Sequence, residues 1–148
     1  MSKKNIIIIF TDLDGSILDR DTFRFDQIKE YIKKLIISGI HIIPNSSKTE
    51  IEIIEFNKEL GENLPYISEN GSVINGLNLL NSNFPNKIIL SREKEELLEI
   101  FKNKVPENLQ SKCRFIQNLS KKDQINIFGL NESKLKNALN RKYTEPFL

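Results

Sequence analysis

The chain has 148 residues, with 22 Lys+Arg against 20 Asp+Glu for a net charge of +2, and it carries one Cys, one His and no Trp. That is one domain's worth of sequence. Charges of both signs are spread along it, which excludes the clustered basic face of a nucleic-acid or membrane-surface binder and leaves a small molecule as the expected ligand. A single Cys excludes an internal disulfide and a multi-thiolate metal site, and points to a reducing, cytoplasmic setting. Lys3-Lys4 ahead of Ile6–Phe10 has the look of a signal peptide, but the apolar run stops at Thr11-Asp12. A signal core needs roughly 7–15 apolar residues, and no stretch approaches the ~20 that span a bilayer.

Residues 6–10 are five β-branched or aromatic residues without alternation, the pattern of a strand buried on both faces of a parallel sheet. A polar, Asp-rich loop follows. From Asp26 to Ser38 the apolar residues Ile28, Tyr31, Ile32, Leu35 and Ile36 recur at helical spacing, and Gly39 stands where a terminating glycine belongs. Ile40–Pro44 predicts a second strand. Ser46-Ser47 then precede a second helix with Ile51, Ile54 and Leu60, closed by Gly61, and Ser46 is the expected N-cap. Tyr66–Ser68 predicts a third strand, and Asn70-Gly71 and Asn75-Gly76 flank Ser72–Ile74 as hairpin turns.

Residues 77–86, Asn-rich and holding Pro85, predict a connection, and a domain boundary is expected near residue 80. Beyond it the spacing predicts a strand over Lys87–Leu90 and a charged amphipathic helix over Arg92–Lys104. A strand over Lys112–Gln117, short helices over Lys121–Phe128 and Glu132–Asn140, and an extended Lys142–Phe147 complete the reading.

The sharpest chemical signal is Asp12-Leu13-Asp14-Gly15-Ser16, directly after the first strand. Ligands of open α/β sheets bind at the carboxyl ends of the strands, so both carboxylates stand where an active site belongs. Two Asp at i and i+2 can divide the work, one attacking as a nucleophile and the other serving as acid and then base. Ser46 at the end of the second strand is suited to an anion, since a helix N-terminus favours one, and Lys48, inside that turn, reads either as a contact to phosphate or substrate or as a solvated lysine. His41 reads as a strand histidine and Cys113 as an apolar filler, because neither has a partner base or ligand nearby.

Phe10-Thr11-Asp12-Leu13-Asp14-Gly15-Ser16 resembles the first motif of the haloacid dehalogenase superfamily of phosphohydrolases, and Ser46, after Ile42–Asn45, resembles the second. Ser46-Ser47-Lys48-Thr49, Glu69-Asn70-Gly71 and the segment from Leu119-Ser120 to Arg141-Lys142-Tyr143-Thr144-Glu145-Pro146-Phe147 are similar to a narrower group, the mannosyl-3-phosphoglycerate phosphatases; Thr144 replaces a Ser of that pattern. The resemblance implies an α/β fold with a Rossmann-type parallel core over residues 1–80 and part of an α+β cap over 81–148. It implies Asp12 as nucleophile, Asp14 as acid and base, and Mg²⁺ held by Asp12 and the Asp14 carbonyl. Ser46, Ser47, Lys48 and Asn70 would bind phosphate or substrate, with Arg141 and Glu145 gripping a phosphorylated sugar acid from the cap.

The superfamily pattern also carries a later Lys and a Gly-Asp-x-x-x-Asp loop, and neither is assignable before Leu148. The expectation is therefore the N-terminal part of a longer enzyme, whose first strand offers an apolar edge to a partner chain. The rival expectations are a catalytically silent interaction module and a different sugar-phosphate phosphatase of the same superfamily.

Overall fold

The computed structural model describes residues 6–148; the Lys3-Lys4 pair lies outside them. Strand β1 (Ile7–Thr11) is followed by α1 (Asp26–Ile37), β2 (Ile40–Pro44), α2 (Glu50–Leu60) and β3 (Tyr66–Ser68). β1 and β2 pair in parallel, with Ile7 opposite Ile40 and Thr11 opposite Pro44. β3 continues the parallel order through the bridge between Asn45 and Ile67 and the Ser46 N–H donating to the Ile67 carbonyl. A βαβαβ path of this kind brings the carboxyl ends of three strands to one edge of the molecule.

β3 then turns antiparallel into β4 (Val73–Asn75), and β4 pairs with β5 (Lys87–Ile89). Residue 80 lies in the loop of this β4–β5 hairpin. The turn over Asn75-Gly76 needs its glycine: Gly76 has φ +75°, and a Cβ there would stand 2.9 Å from the Pro65 Cα. The remainder is helical: α3 (Lys94–Lys104), α4 (Glu107–Gln110), α5 (Lys121–Phe128) and α6 (Glu132–Leu139).

The core lies between the sheet and the first two helices. Leu13, Ile32, Ile42, Ile53, Phe56, Leu60 and Tyr66 are buried there, and the rings of Phe25 and Phe56 meet with centroids 5.0 Å apart. An aromatic pair of this kind adds about 0.5–1.5 kcal/mol beyond the area it buries. α1 ends as its pattern predicts, with Gly39 at φ +85° past the Ser38 cap.

Four expectations are corrected. β1 is not buried on both faces: Ile7 and Phe10 are 53% and 59% exposed, because β2 is its one pairing neighbour among the described residues. α2 buries Ile53, Phe56, Asn57 and Leu60 rather than Ile51 and Ile54. Its N-cap is Thr49, not Ser46, because Thr49 and Glu52 form a reciprocal capping box that fixes the helix start three residues later. The segment 112–117 makes only a short antiparallel link, Phe115 to Phe147, before turning into a 3₁₀ helix over Ile116–Asn118; the proline at 146 has no N–H to extend the ladder. No described helix is long and apolar enough to cross a membrane.

Candidate active site

Three turns meet at the carboxyl ends of β1, β2 and β3. The turn after β1 carries Asp12 and Asp14. Asp12 is exposed, with Oδ1 accepting a 2.7 Å hydrogen bond from the Leu13 N–H. That bond fixes one carboxylate oxygen and leaves the other facing outward. The loop then closes on itself, the N–H groups of Ser16, Ile17 and Leu18 all turning back to the Leu13 carbonyl, while Leu13 itself is fully buried. The buried leucine thus anchors a tight reversal between two carboxylates.

The turn after β2 supplies Ser46, Ser47 and Lys48. Ser46 is buried, and its Oγ accepts the Lys48 N–H at 3.3 Å. The Lys48 ammonium lies 3.0 Å from Asp14 Oδ1 and 3.6 Å from Glu52 Oε1, with the Phe23 ring centroid 5.3 Å away. Phe23 holds this position at φ +55°, a left-handed conformation that is costly for an aromatic residue. One lysine is therefore enclosed by two carboxylates and a ring.

The turn after β3 is tied to the turn after β2 through consecutive carbonyls. The Asn70 N–H donates to the Ser46 carbonyl at 3.2 Å and the Glu69 N–H to the Lys48 carbonyl at 2.9 Å. The Ser47 carbonyl, between them, accepts from Arg141 Nη1 at 3.0 Å. Arg141 arrives from the segment after α6, so this segment lies directly over the β2 turn. An open cleft bordered by Asp14, Ser16, Arg20, Thr22 and Arg24 adjoins the cluster.

Of the residues expected from the sequence, Asp14, Ser46, Ser47, Lys48, Asn70 and Arg141 are brought together, with Asp12 two residues away on the same turn. Glu145 borders this group without an ion pair to it: its carboxylate is buried, lies 3.6 Å from Lys94 Nζ, accepts from the Gln117 backbone and feels the charge of Arg141. Burial pushes its pKa above the ordinary glutamate value against the pull of Lys94 and Arg141. Two contributors went unread in the sequence, Glu52 and Lys94, and Glu69 reads there only as part of the Glu69-Asn70-Gly71 stretch, with no role of its own. The Thr49-x-x-Glu52 box was a legible signal for Glu52. The contacts of Glu69 had no local signal, because its carboxylate is satisfied by residues more than seventy positions away.

Among the described residues, no three His, Cys, Asp or Glu side chains gather to hold a metal. The donor set at Asp12 and Asp14 nevertheless fits Mg²⁺, which takes one or two carboxylates and completes its shell with water and substrate phosphate. Asp14 Oδ1 is buried and, among the described residues, its polar partner is the Lys48 ammonium.

Comparison with known proteins agrees with this geometry. A family model described as haloacid dehalogenase-like hydrolase matches residues 9–90, from β1 through β5. A glucosyl-3-phosphoglycerate/mannosyl-3-phosphoglycerate phosphatase from Persephonella marina is 27% identical over 153 residues, covering 96% of this chain and 55% of that protein. A protein of the same name from Methanococcoides burtonii is 42% identical over 67 residues, 45% of this chain and 25% of its own length. The chain thus spans about half the length of the first of these relatives and a quarter of the second. Two solved structures share its fold: a haloacid dehalogenase-like hydrolase from B. subtilis (TM-score 0.54, 18% identity, 74% of this chain and 36% of that one) and a protein from Thermoplasma acidophilum (TM-score 0.50, 20% identity, 67% and 42%). With the family's pattern matched over more than half of its residues and an Asp-x-Asp turn at the end of its first parallel strand, the chain belongs to the haloacid dehalogenase-like hydrolases.

Proposed function

We propose that this chain carries the catalytic carboxylates of a Mg²⁺-dependent phosphomonoester hydrolase acting on glucosyl- or mannosyl-3-phosphoglycerate in the cytoplasm. The observation that carries the reading is the convergence of Asp12, Asp14, Ser46, Lys48 and Arg141 on the carboxyl ends of three parallel strands. The names of the two relatives support the substrate class.

The placement of the side chains supports the following steps. Asp12, exposed and steadied by the Leu13 N–H, attacks phosphorus, and the bond to the leaving alkoxide breaks as the aspartyl-phosphate bond forms. Asp14, protonated at that stage, gives the alkoxide its proton and becomes the carboxylate paired with Lys48; it then takes a proton from the water that attacks phosphorus and breaks the bond to Asp12. Ser46 and Lys48 hold phosphoryl oxygens, and the Arg141 guanidinium meets the acid end of the substrate. The Asp12 carboxylate and the Asp14 main-chain carbonyl would hold Mg²⁺, which when bound would supply neutralising charge to the phosphoryl group.

Residues 1–80 are assigned to the catalytic core and 81–148 to part of a cap, with Arg141 and Glu145 on the cap side. The exposed apolar face of β1 favours a partner chain packed against that edge. The test is phosphate release from glucosyl- and mannosyl-3-phosphoglycerate in Mg²⁺, beside sucrose phosphate as control. Release from the two glycerates and not from sucrose phosphate supports the reading. Equal rates on all three return the chain to an unspecialised sugar-phosphate phosphatase, and no release from the folded chain removes the enzyme reading in favour of an interaction module.

A further inference from the structure

Glu69 is a carboxylate placed where carboxylates are rarely left without a cation. It is 2% exposed, it forms no ion pair among the described residues, and its backbone sits at φ +48°. Its satisfaction comes from one distant stretch of chain. The Lys142 N–H donates to Oε1 and Oε2 at 3.0 and 3.2 Å, the Tyr143 N–H donates to Oε2 at 2.9 Å, and the Thr144 hydroxyl donates to Oε2 at 2.9 Å. Hydrogen bonds to an ionised acceptor are about twice as strong as neutral ones, so this carboxylate is a strong clamp on residues 142–144.

The clamp has a direction. A threonine hydroxyl has one proton, and Thr144 commits it to Glu69; its lone pair is then presented to Arg141, whose Nη1 donates to Thr144 Oγ1 at 3.0 Å. The same Nη1 donates to the Ser47 carbonyl. The guanidinium is thus oriented from both sides, yet it forms no ion pair among the described residues, and its Nε is buried with no hydrogen-bond partner. Glu145 feels the charge of Arg141 but lies outside ion-pair distance, and a fixed, partly buried guanidinium with no ion pair among the described residues is a receptor for an anion, Arg preferring a carboxylate or phosphate in that position.

We propose that Glu69 is a positioning residue, which through Thr144 and the 142–143 backbone holds Arg141 over the β2 turn to receive the carboxylate of a phosphoglycerate-type substrate. This rests on the substrate class proposed above. It makes the turn after β3 a contributor to substrate recognition without contact between Glu69 and the substrate.

The test uses the full chain and 3-phosphoglycerate as the probe, with binding followed by titration in Mg²⁺ for wild type, Glu69→Gln, Arg141→Ala and the double variant. Loss of one charge-assisted contact set predicts weakening of about tenfold in Glu69→Gln. Because Glu69 acts through Arg141, the double variant is expected to bind no more weakly than Arg141→Ala alone. Amide hydrogen exchange supplies a readout free of ligand: Lys142 and Tyr143 exchange faster in Glu69→Gln while the β2 amides keep their protection. Thr144→Val, which leaves the buried carboxylate and both backbone contacts in place, is expected to weaken binding in the same direction should Glu69→Gln fold poorly.

Additive losses, wild-type affinity in Glu69→Gln, unchanged exchange at Lys142 and Tyr143, or a wild-type chain that does not bind the probe would each overturn the proposal. A chain that binds with the coupled pattern but releases no phosphate from the glycosylated substrates would leave the positioning role standing and remove the hydrolase reading.

Discussion

Lys48 Nζ stands 3.0 Å from Asp14 Oδ1, so the turn after β2 supplies the counter-ion of a carboxylate on the turn after β1. The lysine is nearly enclosed, while Asp14 keeps more than a third of its side chain in contact with solvent. In the proposed site, substrate phosphate entering beside Asp14 would meet this ammonium. Lys48→Met is therefore expected to lower kcat/KM for phosphate release by about 10²-fold, the usual loss for one preorganised charge-stabilising group. Lys48→Arg should retain part of the rate. A Lys48→Met enzyme with the wild-type rate would remove Lys48 from the site.

Thr49 joins two parts of the molecule. Fully buried, it caps α2, and its hydroxyl lies 2.9 Å from the Glu52 carboxylate and 3.0 Å from the Asn137 carbonyl on α6. Thr49→Ala is expected to destabilise the fold by about 1–2 kcal/mol, the upper part of the range for N-cap loss. Urea denaturation should show a lower midpoint at constant slope. A midpoint within error of the wild type would mean that water replaces both contacts.

The parts of the fold legible in the sequence are those set by local pattern. The strand runs at Ile6–Phe10 and Ile40–Pro44, the α1 periodicity with Gly39, and the Asn-Gly turns all lie within a few residues of their cause. Asp12 and Asp14 were legible because a strand followed by a tight acidic turn places chemistry at the sheet edge. What was not legible depends on distant partners. The register of α2 followed the Thr49–Glu52 box rather than Ser46, and the 112–117 strand shrank because its partner carries Pro146. The Lys94 partner of Glu145 was not legible because it lies on a different element, and Glu69 reads only as part of the Glu69-Asn70-Gly71 stretch because its carboxylate meets residues 142–144, far along the chain.

Gly76 is less open to change than Gly15, Gly61, Gly71 or Gly129. A Cβ there meets the Pro65 Cα at 2.9 Å and Leu79 Cδ1 at 3.2 Å, at a φ of +75°. Gly76→Ala is expected to cost more than about 1 kcal/mol, since both backbone conformation and space oppose the methyl. Gly15→Ala and Gly129→Ala, which share the positive φ but have open space, should cost less. Equal losses at all three positions would show that conformation alone decides.

Glu145 gives the stability a pH dependence of known sign. Its carboxyl titrates above the ordinary glutamate value in the folded chain, because burial outweighs Lys94. Between the unfolded and folded values the folded state holds a proton that the unfolded state has released, so stability declines as pH rises through that window. Urea midpoints taken from about pH 4 to pH 7 should show a component of this decline that Glu145→Gln lacks. An identical pH slope in the two proteins would place the Glu145 titration outside the folding equilibrium.

The central claim is that Asp12 is the nucleophile. The direct measurement is the intact mass of the chain quenched in acid after mixing with glucosyl-3-phosphoglycerate and Mg²⁺, for wild type and Asp12→Asn. A gain of one phosphoryl group in the wild type, mapped to the peptide holding Asp12 and missing from Asp12→Asn, is the predicted result. Phosphate release without that adduct in a quench series, or an adduct that persists in Asp12→Asn, would contradict it.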